Sequence, residues 1–126
     1  MSKELLNELL EKDLVIGYVY GYTGECQVFY FEKSPVNIAS FIMKHWEGTD
    51  RMVLTNQRDE LFLNTFGLFI NRCPDQAFLQ KVLKELLPMQ MGEKEPADIL
   101  VANEKEFQEL LYKEDQKVTE AELRML

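Results

Sequence analysis

Near the N-terminus, apolar positions fall at Leu5, Leu6, Leu9 and Leu10, with Glu4, Glu8 and Lys12 away from them. That spacing draws one stripe along a helix. Ser2 can cap it, and the early glutamate suits the positive end of the helix dipole. From Leu14 the period changes to that of a strand. LVIGYVYGYTGECQVFYFEK reads as a hairpin, with one strand near Leu14–Tyr22, a tight turn at Thr23-Gly24 and a return strand near Glu25–Glu32. Gly24 supplies the positive φ that a two-residue hairpin turn demands. Ile16, Tyr18, Tyr20 and Tyr22 share one face of the first strand, and Val15, Gly17, Val19 and Gly21 the other. The glycines thin that second face, so a helix or another backbone can come close to it.

Ser34-Pro35 then opens a helix, serine as cap and proline as first helical residue. Ile38, Phe41, Ile42, His45 and Trp46 form its apolar stripe, and Gly48 stops it. RMVLT is a short strand, NQRDE a polar turn, and LFLNTFGLFINRC a longer strand in which Gly67 marks a bulge that resets the alternation. Cys73-Pro74-Asp75 leads into a helix bearing Phe78, Leu79, Val82, Leu83, Leu86 and Leu87, halted by Pro88. PMQMGEKEP reads as a linker. Beyond it, DILVA suits a short strand, and Asn103/Glu106 and Thr119/Glu122 are capping pairs for two further helices.

The pattern predicts an α+β fold: an antiparallel sheet of about four strands, built from two hairpins, with helices mainly on one face. Residues 1–87 form its core, 88–96 the linker, and 97–126 an acidic β-α extension packed on the same single domain. The chain of 126 residues is long enough for a real core.

Charge narrows the partners. The formal net charge is −8, and residues 88–126 hold ten Asp/Glu against five Lys/Arg. An acidic chain is poorly equipped to displace counterions from a nucleic-acid backbone, so direct nucleic-acid binding is not expected. No apolar run approaches the roughly 20 residues that span a bilayer. The first segment is acidic and lacks the apolar core of a secretion signal, so the expected location is cytoplasmic, away from membranes.

Few residues offer chemistry. The two cysteines, Cys26 and Cys73, and the single histidine, His45, make no metal-ligand spacing, so no metal is expected. No glycine-rich phosphate loop or other cofactor signature is present. Cys73 is the best catalytic candidate: with Pro74 as first helical residue, the sulfur would sit at a helix N-terminus beside Arg72, and both favour a thiolate. The plainer reading is a small, half-buried residue closing a strand. His45 is the one available base. It lies on an apolar stripe, which suits a core histidine with one hydrogen bond, or the polar edge of the helix C-terminus, where the dipole favours its protonated form. Tyr18, Tyr20 and Tyr22 are the binding candidates. Aromatic rings on a sheet can stack on bases, but a basic flank is missing, so core packing or a protein interface fits them better.

These features point to a small cytosolic protein acting non-enzymatically through a protein partner or a second copy of itself. The alternatives are a thiol-dependent enzyme or redox sensor using Cys73, and an acidic inhibitor that mimics nucleic acid. The tyrosine-bearing face needs a cover, by a dimer or by the tail through Ile99, Val101, Phe107, Leu110 and Leu111.

Overall fold

The computed structural model describes residues 13–109. The first helix, the Thr119/Glu122 pair, Leu110 and Leu111 lie outside them. The first hairpin forms as β1 (Leu14–Gly21) and β2 (Cys26–Glu32), with Val15 opposite Phe31 and Tyr18 opposite Val28. Its loop is longer than the expected two residues. Gly21 N–H donates to the Glu25 carbonyl and Gly24 N–H to the Gly21 carbonyl, leaving Tyr22, Thr23 and Gly24 as the loop. Gly24, at φ 90°, takes the left-handed position that three-residue loops reserve for glycine.

Helix α1 (Pro35–His45) starts as the sequence dictates. Ser34 Oγ accepts from Asn37 N–H at 3.1 Å, and Pro35 occupies the first helical position. Ile38 to Ile42 are all buried. The Phe41 ring lies over Gly17, where an added Cβ would come within 3.0 Å of it. The close approach expected at the thin glycine face is therefore made by a ring of α1. Phe31 stacks on Phe41 from β2, centroids 4.6 Å apart.

The remaining strands are β3 (Thr49–Thr55), β4 (Leu61–Phe66), β5 (Phe69–Arg72) and β6 (Ala102–Asn103). They build one antiparallel sheet of six strands, in the order β5-β4-β3-β1-β2-β6. The class is as expected, but the count of about four is too low, for two reasons. Gly67 does not mark a bulge within one long strand. With φ at 57° it begins a two-residue turn with Leu68 that splits the segment into β4 and β5, the glycine-first turn that matches strand twist. Of the DILVA segment only Ala102 is in a strand; with Asn103 it forms the two-residue β6, paired with Tyr30 and Phe29.

Helix α2 (Gln76–Gln90) also departs from expectation at both ends. Asp75, not Cys73 or Pro74, is the cap: its carboxylate accepts from Phe78 N–H at 3.0 Å. Pro88 does not halt the helix but sits in its last turn. Termination comes from Gly92 at φ 75°, with Glu93 N–H bonded to the Pro88 carbonyl and Gly92 N–H to the Met89 carbonyl. This paired closure satisfies the last carbonyls. The helix thus takes the first residues of the stretch read as a linker.

Both helices lie on one face of the sheet, over Val15, Val19, Phe31, Met52, Leu54 and Leu63. A smaller cluster of Leu14, Ala102 and Phe107, with Ile16 and Tyr30 against it, sits on the opposite face near β2.

Candidate functional site

The two rows on the face away from the helices are set by pairing register. One runs Cys26–Tyr20–Arg51–Phe66–Phe69 across β2, β1, β3, β4 and β5. The Arg51 guanidinium stacks over the Tyr20 ring, 4.5 Å from its centroid, a cation–π contact. The other runs Val28–Tyr18–Val53–Asn64–Arg72. In a regular strand, Phe69 and Arg72 would point to opposite faces. A register shift at Asn64/Thr65 inserts Asn71 as an extra residue, which brings both to the same face.

These rows end at β5, the edge to which no other described residue adds a strand. Phe69 and Phe66 are 77% and 56% exposed there. At the same edge, a groove of about 620 Å³ lies between β5 and α2. Leu68, Phe69, Ile70, Arg72 and Cys73 form one wall, and Leu79, Leu83, Leu87 and Gln90 the other. Gln90 Nε2 donates to the Leu68 carbonyl at 3.1 Å and closes one end. Leu87 and Met91 are 49% and 70% exposed.

The groove exists because α2 carries two apolar rows. Val82, Leu86 and Met89 are buried in the core, and Leu79, Leu83 and Leu87, one step round the helix, line the groove together with Leu86, Leu79 also packing against the core. Leu79 and Leu83 are partly buried there, and Leu87 is exposed. Among the described residues Arg72 is the only charged one lining the groove, and no described carboxylate forms an ion pair with it.

Cys73 lies on the groove wall but has the surroundings of an unactivated thiol. It is buried, and its sulfur donates to the Asp75 carbonyl at 3.4 Å. Burial pushes the thiol above its ordinary value, despite the opposing hydrogen bond. The helix N-terminus invoked for a thiolate is occupied by the Asp75 carboxylate.

His45 is elsewhere, stacked on Phe41 at 4.2 Å and against Phe29 at 4.8 Å. Its Nδ1 lies 3.0 Å from the Phe41 carbonyl. Burial lowers its affinity for protons, with the Phe41 hydrogen bond opposing, so desolvation outweighs the dipole argument.

The three tyrosines also separate. Tyr18 and Tyr20 occupy the two rows, while Tyr22 lies beyond the strand in the hairpin loop, 73% exposed. Burial raises the Tyr18 phenol above its ordinary value, helped by the Asp59 charge.

A second hollow of about 370 Å³ is polar, with Asp13, Lys33, Asn56 and Arg58 on its walls. Its lysine is engaged over the rings of Phe62 and Phe78. Among the described residues no three His, Cys, Asp or Glu side chains converge as metal ligands, and no helix is long and apolar enough to cross a membrane.

The β5 edge escapes a reading of the sequence because Gly67 suits a bulge inside a longer strand equally well. The signal lies in the helix instead: six apolar positions from Phe78 to Leu87 are more than one buried stripe needs. Set against protein-family models, curated proteins and solved structures, the chain matches none of them.

Proposed function

We propose that the protein is a non-enzymatic interaction module, resident in the cytoplasm, whose contact surface is the β5 edge with the groove beside α2. The observation that carries this reading is the coincidence of exposed Phe66, Phe69, Leu87 and Met91 with a strand edge that is unpaired among the described residues. An open edge offers backbone N–H and C=O groups to another chain. An adjoining groove with alternate apolar positions turns such pairing into recognition of a particular chain. The surface is poor in charge although the protein carries −8, as interface centres are. That net charge disfavours a nucleic-acid backbone as the partner. The rows ending in Phe69 and Arg72 extend the surface inward to Tyr20 and Tyr18, giving those rings a supporting place in it.

A photo-crosslinking residue at position 69, compared with one at the equally exposed Tyr22, tests the reading in cells. Protein adducts from position 69 and none from position 22 are expected. An absence of adducts from position 69 would remove the β5 edge as a contact surface.

A further inference from the structure

We draw no further inference here: the strongest candidate, the β5 edge of the sheet with the apolar groove between it and α2, belongs to the contact surface already proposed, and nothing in the structure shows what covers it.

Discussion

The two edges of the sheet are treated in opposite ways by the same chain. At the β2 edge the chain returns after α2 and covers part of the strand, pairing with Phe29 and Tyr30. Ala97 N–H donates to the buried Ser40 Oγ at 2.9 Å, and Asp98 pairs with Lys44 at 3.5 Å. Ile99 and Val101 pack against the main core, and Ala102-Asn103 adds the sixth strand. The following helical residues, 104–109, then bring Phe107 onto the other face, stacked on Tyr30 at 4.2 Å. One segment thus wraps the edge from the helix face to the tyrosine face. At β5 nothing described adds a strand, and the exposed side chains are large and apolar. Strand edges invite pairing with other chains. The contrast between the two edges is the observation that supports the interaction reading proposed above.

The contrast is sharpest within α2. Leu86→Ala, at a buried site that also borders the groove, should cost about 2–5 kcal/mol. Leu83→Ala, on the groove wall, should cost about 1 kcal/mol or less in the monomer, because water already reaches the site. Urea unfolding at low protein concentration measures both. Equal losses would show that the groove row is core, and the distinction between the edges would fail.

Phe107→Ala tests the closed edge. Its ring lies in the satellite cluster with Leu14 and Ala102, so its loss should cost about 2 kcal/mol. That is less than a central truncation, because a satellite cluster can open locally. Hydrogen exchange should show lost protection at β2 and β6 with little change in β5. Uniform loss across the sheet would mean that the closing segment is part of the global core.

Asn103→Ala removes the cap of the same segment. The Asn103 side chain accepts from Glu106 N–H at 2.8 Å, and the Glu106 carboxylate accepts from Asn103 N–H at 3.5 Å. The expected cost is about 1 kcal/mol, read from the same unfolding curves. No measurable change would show that β6 and Phe107 hold the segment without its cap.

The smallest effect concerns pH. His45 rests on Phe29, the residue paired with Asn103 at the closed edge, and its folded-state affinity for protons is lowered by burial. The unfolded chain therefore takes up the proton first as pH falls. The contribution is present above the ordinary value of 6.5 and is lost below it. His45→Gln should flatten this part of the stability profile between neutral and mildly acid pH. An unchanged slope would assign it to other groups.

Much of the fold is legible in residues that act locally. Ser34-Pro35 as a helix start, Gly48 as its stop, the Asn103/Glu106 cap and the alternation of β1 each depend on neighbours within a few positions. Sequence and structure part where local signals compete. Gly67 satisfies both a bulge and a turn, and only the pairing of Phe66 with Phe69 separates them. Pro88 reads as a stop, yet the last helical turn tolerates it because the backbone closes beyond it at Gly92. Cys73 reads as a helix-end thiol until Asp75 takes the capping position.

Period and capping chemistry thus determine which segments are strands and helices, which face of each is apolar, and that the class is α+β. They are properties of residues a few positions apart, where sequence distance and spatial distance agree. Which edge is closed and which is open, and which row of α2 reaches the core, were decided only when the sheet was assembled. Those outcomes depend on contacts such as Ala97 with Ser40 and Phe107 with Tyr30. Burial and charge at Cys73, His45 and Arg72 were settled there too, because desolvation and Coulomb interactions follow distance through space rather than along the chain.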